Sequence, residues 1–252
     1  PVAFNVTLSN PSDTPTTFAF TLGGGTATPA DYGTPTFTNG VVLNADGTIT
    51  VPAGVTAFNV IVPTTDDTTK ESTETLPLTI GGVTATGGIL DNDLPPTIKT
   101  IEPGQPGLGD DSVTEGTSLA FNVALSNASD SPSTFAFNLR GDTASAADYG
   151  TPSFSNGVTL NADGTITVPA GVTAFTVTVP TTDDVTKESA ESLPLTIGGL
   201  SANGTILDND ATPSIKTIEP GQPGTADDSV TEGQPVAFNV TLSNPSDTPT
   251  TF

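Results

Sequence analysis

Short apolar runs with strict alternation recur along this chain, and none keeps a helical period. Ser118–Ser126, SLAFNVALS, puts Phe121, Val123 and Leu125 on one face, and Ser133–Leu139, STFAFNL, does the same with Phe135, Phe137 and Leu139. Successive residues of a strand point to opposite sides, so each run reads as a strand with one buried face. Asp111–Glu115 reads as a short first strand ending at Gly116. Thr165–Val168, Val172–Val179, Leu193–Ile197 and Thr205–Leu207 complete the set. Asp163-Gly164, Pro169-Ala170-Gly171 and the run GGLSANG mark turns between them. Phe154–Asn161 is expected as an extra small hairpin. Seven short strands within about 100 residues predict an all-β fold, an antiparallel sandwich of immunoglobulin-like, Greek-key type.

The pattern is periodic. PVAFNVTLSNPSDTPTTF at Pro1–Phe18 returns letter for letter at Pro235–Phe252, and the variant SLAFNVALSNASDSPSTF begins at Ser118. Both steps are 117 residues, so the chain holds two periods and the start of a third. The expected organisation is a sandwich over 1–93 lacking its first strand, a Pro/Gly-rich connector over 94–110 and a complete sandwich over 111–210. A second connector over 211–227 and the start of a third repeat over 228–252 follow. Pro and Gly make the connectors turn-rich rather than floppy. Pro1 is expected to be a cut inside a longer polypeptide. Near-identical copies in tandem predict an extended array, a monomeric rod whose partners are its own neighbouring repeats.

Composition narrows the chemistry. The net charge is −23 with only five Lys and Arg, so nucleic acid and anionic membranes are excluded as expected partners. No apolar run approaches the roughly 20 residues of a transmembrane helix, so direct membrane insertion is not expected. Cys, His, Met and Trp are all absent. That removes thiolate chemistry, the usual general base and the usual zinc ligand, and an enzyme is not expected.

The charge is concentrated. PTTDDVTKESAE, Pro180–Glu191, carries Asp183, Asp184, Glu188 and Glu191, and its earlier copy PTTDDTTKESTE carries Asp66, Asp67, Glu71 and Glu74. Like charges at ~4 Å and an effective dielectric of about 20 cost roughly 4 kcal/mol per pair, which protonation or a hard cation relieves. In an alternating sandwich, Glu115, Asp148, Asp208 and Asp210 fall at the same pole as this loop. The opposite pole holds only Asp130 among its predicted loops, NASDSP, VPAG and GGLSANG. An oxygen-only set of this size suits Ca2+, which takes 6–8 oxygen ligands, better than Mg2+. Asp46-Gly47 and Asp163-Gly164 read as turns, not ligands.

The order VTEG, then DY, then DDxxxExxE, then DND resembles the Calx-β pattern over Asp111–Asp210, and over 1–93 without the first strand. The resemblance implies a Calx-β-like sandwich with a Ca2+ cluster at one pole. Its ligands would be Glu115, Asp148, Asp183, Asp184, the Thr186 carbonyl, Glu188, Glu191, Asp208 and Asp210. In the first copy they would be Asp31, Asp66, Asp67, the Thr69 carbonyl, Glu71, Glu74, Asp91 and Asp93. Glu232 is the equivalent of Glu115 in the third copy. The insert at Phe154–Asn161 and the long connector depart from that pattern. Asp110-Asp111 and Asp227-Asp228 lie across the joins and are expected to add ligands from the following repeat.

Tandem, acidic, Cys-free copies ending in DND and a Pro-rich join are also similar to the extender regions of giant bacterial RTX-type adhesins. That resemblance implies a secreted protein displayed extracellularly on a bacterial cell surface, supporting adhesion and biofilm formation. The expected function is a stalk whose repeats are stiffened by Ca2+. The alternatives are a sugar- or protein-binding module and a Ca2+ sensor. The first requires a divergent aromatic loop, and the second requires divergent domains joined to an effector.

Overall fold

The computed structural model describes residues 1–252 except Pro106, Pro223, Ala226 and Asp227. The described residues form strands and turns with no helix, and no helix is long and apolar enough to cross a membrane. They divide into two compact units. One comprises Pro1–Pro95 with Asn127–Ser131, and the other Pro96–Ser126 with Pro132–Phe252.

The first unit contains β1 (Val2–Thr7), β2 (Thr16–Leu22), β3 (Thr36–Phe37), β4 (Val42–Leu43), β5 (Thr48–Val51), β6 (Ala57–Val62), β7 (Glu74–Ile80) and β8 (Val83–Ile89). They form one sheet in the order β1-β6-β3 and another in the order β4-β5-β2-β7-β8. Alternation sets the faces. Phe58, Val60 and Val62 of β6 and Leu76 and Leu78 of β7 turn inward, where they meet Phe4, Ile49 and Val51.

The second unit contains β9 (Ile98–Pro103), β10 (Ser112–Thr114), β11 (Leu119–Leu125), β12 (Ser133–Leu139), β13 (Ser153–Phe154), β14 (Thr159–Leu160), β15 (Thr165–Val168), β16 (Ala174–Val179), β17 (Glu191–Ile197) and β18 (Leu200–Leu207). Its sheets run β13-β16-β11-β9 and β10-β18-β17-β12-β15-β14. Leu119, Phe121, Val177, Val179, Leu193, Leu195 and Ile197 are fully buried between them. Each such side chain contributes about 1.5–3 kcal/mol relative to exposure. Close sheet approach demands Gly204 on β18, because a Cβ there would lie 2.4 Å from Leu119. Two further strands, β19 (Ile215–Pro220) and β20 (Phe238–Leu242), pair with each other alone.

The sandwich class expected from alternation is observed, with three changes of detail. The segments expected as connectors are partly strands. Ile98–Pro103 lies antiparallel to β11, with Ile101 opposite Val123, because Ile98 and Ile101 share the face that packs on the core. Ile215–Pro220 forms the same ladder with β20. The Phe154–Asn161 insert is not a hairpin. Phe154 pairs with Val177 in one sheet and packs edge-on to Phe137, while Leu160 pairs with Ile166 in the other. The chain crosses between sheets at Asn156 and Gly157, both at positive φ. Last, the turn expected in GGLSANG is only Gly198-Gly199, and β18 starts at Leu200.

Candidate metal site

Topology brings the acids of the second unit to one end. β17 and β18 form an antiparallel hairpin with Glu191 opposite Ile206, so the start of β17 lies beside the end of β18 at Asp208. β10 runs parallel to β18 with Thr114 beside Leu207, which delivers Glu115 to the same end. The Glu115 amide donates to the Leu207 carbonyl at 2.9 Å, and its Oε1 accepts from the Asn209 amide at 3.0 Å. A bridge between Tyr149 and Thr181 adds Asp148, whose carbonyl accepts from the Thr182 amide at 2.9 Å.

The outcome is two groups. Carboxylate oxygens of Glu115, Asp208 and Asp210 lie within 4.8 Å of one another, and so do those of Asp148, Glu188 and Glu191. The first unit repeats the second arrangement with Asp31, Glu71 and Glu74, held by a Tyr32–Thr64 bridge and a bond from the Thr65 amide to the Asp31 carbonyl.

The remaining expected ligands sit around these groups. Asp183 accepts from Asn209 Nδ2 at 2.9 Å and lies against Gly116, and Asp66 accepts from Asn92 Nδ2 at 3.0 Å. Asp184 and Asp67 each accept the amide two residues on, from Thr186 and Thr69, at 2.6 Å. Asp93 donates its amide to Asp91 at 3.1 Å. Asp110 accepts instead from the Gln105 amide, and the Asp111 carbonyl accepts from Thr205, so neither belongs to an acidic group. Asp228 and Glu232 are exposed and also outside the groups, and Asp227 lies outside the described residues.

Two lysines enter the same pole. Lys187 Nζ pairs with Asp208 and donates to the Glu188 carbonyl at 3.0 Å; Lys70 Nζ pairs with Asp91 and donates to the Glu71 carbonyl at 2.6 Å. The bond from Lys70 Nζ to Asp91 holds the Asp91 carboxyl below its ordinary value. Lys187→Met leaves the nearly buried Asp208 without its cation. We expect a loss on the order of 1–3 kcal/mol in chelator by denaturant unfolding, recovered in Ca2+.

Asp130 lies in the loop between β11 and β12, as the sequence places it, but its contacts are with the first unit, which the sequence did not show. Its Oδ2 accepts from the Ser72 amide at 2.9 Å, while Lys70 exchanges backbone bonds with Ala128 and Asp130, both at 2.9 Å. Asp247 repeats this on Lys187 and Ser189. The available signal was the Asn-x-Ser-Asp tetrad that returns at Asn10, Asn127 and Asn244.

The electrostatics follow from crowding. Burial first, then the charge of Asp148 and Glu188, pushes Glu191 up to about 7. Burial and then Asp148 raise Glu188, burial and then Asp67 raise Glu71, and burial and then Asp31 raise Glu74. A carboxyl raised in the folded state holds its proton longer there than in the unfolded chain. Stability is therefore fully present below the unfolded carboxylate range and falls as pH rises toward the folded value. In chelator, the unfolding midpoint of the second unit falls between pH 5 and pH 8. If the site holds Ca2+, saturating ion should abolish that fall, because it would take the proton's place.

The set fits a hard cation. Every donor is oxygen, and Glu74 Oε2 and Asp210 Oδ2 are buried with no hydrogen-bond partner. An unsatisfied buried polar atom costs about 1–3 kcal/mol, more when charged, which a bound cation would offset. Glu115 is only 6% exposed, and its Oε1 already accepts from the Asn209 amide.

No family model matches this sequence, and no curated protein matches it. Among solved structures, domains 4 and 5 of the S-layer protein SbsC align at 20% identity and TM-score 0.28, over 71% of this chain and 76% of theirs. The chain spans only 27% of the SbsC structure covering domains 4–9, at 20% identity over 84% of this chain and TM-score 0.28. The CBD12 structure from CALX1.2 aligns at 15% identity and TM-score 0.28, over 78% of this chain and 72% of that one. Likenesses of this size assign neither family nor function.

Proposed function

We propose that this chain is a run of Ca2+-binding β-sandwich repeats from the stalk of a secreted bacterial surface adhesin, with no catalytic role. The observation that carries the metal reading is the acidic pole formed in each of two units by residues far apart in sequence. It includes buried carboxylate oxygens that nothing in the protein bonds. The array supports the stalk reading. Each period carries a net −11, with every acid and base of the first returning in the second and only the offsetting pair Arg140 and Asp142 added, so charge and repetition are coupled.

Without the ion, like charges at each pole repel and the carboxylates compete for protons. With it, the loops Thr65–Ser72 and Thr182–Ser189 are neutralised and held against the strand ends. Extracellular Ca2+ modules bind at ~10−4–10−3 M, so the repeats would stay metal-free in a cytosol and fill after export. Small-angle scattering of the whole chain in chelator, in millimolar Ca2+ and in millimolar Mg2+ tests the mechanical part. We expect Ca2+ alone to narrow the distribution of end-to-end distances. Superimposable curves in Ca2+ and chelator would sink the stalk-stiffening reading.

A further inference from the structure

Arg140 and Asp142 are the one change of charge between the two periods, and a single glycine separates them. The first period has Gly23-Gly24-Gly25 at the same place. Arg140 is also the only arginine of the chain, so the divergence brings in a side chain found nowhere else in it.

The triad follows β12, in a loop whose backbone is held at several points. The Arg140 amide donates to the Pro194 carbonyl at 3.4 Å and the Gly141 amide to Tyr149 Oη at 3.1 Å. The amides of Asp142 and Ala144 both donate to the Ser192 carbonyl, at 3.1 and 3.3 Å, and the Ser192 amide donates to Thr143 Oγ1 at 2.7 Å. Only glycine fits in the middle, because a Cβ on Gly141 would lie 1.8 Å from the Ala144 carbonyl oxygen. Ala144 is buried in the core and anchors the far side of the loop. The first period shapes its loop differently, with Gly23 at a φ of 103°, a conformation that arginine does not favour.

On this fixed backbone both charged side chains are exposed. The ion pairs among the described residues are those of Lys70 and Lys187, so the guanidinium and the carboxylate pair neither with each other nor with the acidic pole. Asp142 Oδ2 accepts from Ser192 Oγ at 3.1 Å, which orients the carboxylate and leaves its other oxygen to meet a ligand.

Such a pair asks for two complementary features in a partner. A guanidinium fork engages carboxylates through two N–H groups at once, and an exposed carboxylate oxygen is a ligand for a hard divalent cation. We propose that Arg140-Gly141-Asp142 is a receptor-binding loop. Its partner is a protein that presents a divalent cation to the Asp142 carboxylate beside an acidic pocket for the Arg140 guanidinium. The bonds to Pro194, Tyr149 and Ser192 hold the loop before docking, so little backbone freedom is lost on binding. The loop gives the second unit an adhesive contact of its own, whether or not its acidic pole binds Ca2+.

The test passes the whole chain over an immobilised integrin ectodomain of the class that binds Arg-Gly-Asp, in millimolar Mn2+. We expect saturable binding that a soluble Gly-Arg-Gly-Asp-Ser peptide displaces. Asp142→Glu keeps the charge and moves the carboxylate outward by one methylene, and it should weaken binding by about tenfold or more while leaving the unfolding midpoint unchanged. Arg140→Gly combined with Asp142→Gly gives the loop the sequence of the first period and should abolish binding. Absence of binding by the parent chain overturns the proposal. So does binding that the peptide fails to displace, or that Asp142→Glu leaves unchanged.

Discussion

Millimolar Ca2+ is expected to raise the unfolding midpoint of the second unit by about 5–10 °C over its value in chelator. The size follows from linkage. Free ion at tenfold above the dissociation constant adds about 1.4 kcal/mol per independent site, and the second unit holds two carboxylate groups. For a unit of about 150 residues, 1 kcal/mol moves the midpoint by about 2–4 °C. Mg2+ gives a small rise, because it dehydrates reluctantly and demands octahedral geometry that a crowded set of carboxylates does not offer.

Glu191→Gln separates this account from general charge screening. It removes a carboxylate whose ionisation is opposed by burial and by Asp148. In chelator at pH 8 the variant is therefore as stable as the parent or more stable, and it loses about half the gain from Ca2+. A screening effect would instead appear equally with Mg2+ or with sodium chloride of matched ionic strength. Differential scanning calorimetry of both proteins in each buffer distinguishes the two.

Phe121→Ala costs about 3–5 kcal/mol, enough to unfold the second unit near its working range while the first unit survives. Phe121 is fully buried, pairs with Val177 on one side and Pro103 on the other, and lies at Gly204, where a Cβ would meet its ring at 3.1 Å. The cavity left by the ring is walled by two sheets whose ladders resist collapse. The first unit has its own core around Ile49, Val60 and Leu76 and shares none of these side chains. Calorimetry of Phe121→Ala should show one transition displaced and one unmoved. Equal displacement of both would show that the two cores unfold as one.

Much of the sandwich was legible because burial and strand period coincide. Phe121, Val123 and Leu125 alternate in sequence and turn to one buried face, and the same holds for Phe175, Val177 and Val179. The convergence of Glu115, Asp148, Glu188, Glu191, Asp208 and Asp210 was also legible, because strand alternation decides at which pole a loop lies. The misreadings have physical causes. Ile98–Pro103 has only two apolar positions and is flanked by Pro and Gly, so its pairing with β11 shows only when the neighbouring strand is in place. Ser153–Phe154 and Thr159–Leu160 resemble the arms of a hairpin, but each finds a longer strand of a different sheet. The contacts of Asp130, whose loop position was read correctly, were beyond reach of local reasoning because its partners, Lys70 and Ser72, are about sixty residues away in a different repeat of the sequence. Asp110 shows the opposite error. A nearby unpaired amide at Gln105 took its carboxylate before any distant site could.

The most direct test of the metal pole is calorimetric titration of the whole chain with Ca2+, alone and with Glu115→Gln. We expect about three ions per chain with dissociation constants of ~10−4–10−3 M, two in the second unit and one in the first. Glu115→Gln should lose one of the three, because it removes an oxygen from the Glu115, Asp208 and Asp210 group and leaves the others whole. Absence of binding heat and of bound Ca2+ by equilibrium dialysis at several millimolar would contradict the account. The clustered carboxylates would then be a solvated acidic surface whose only counter-ions are protons, Lys70 and Lys187.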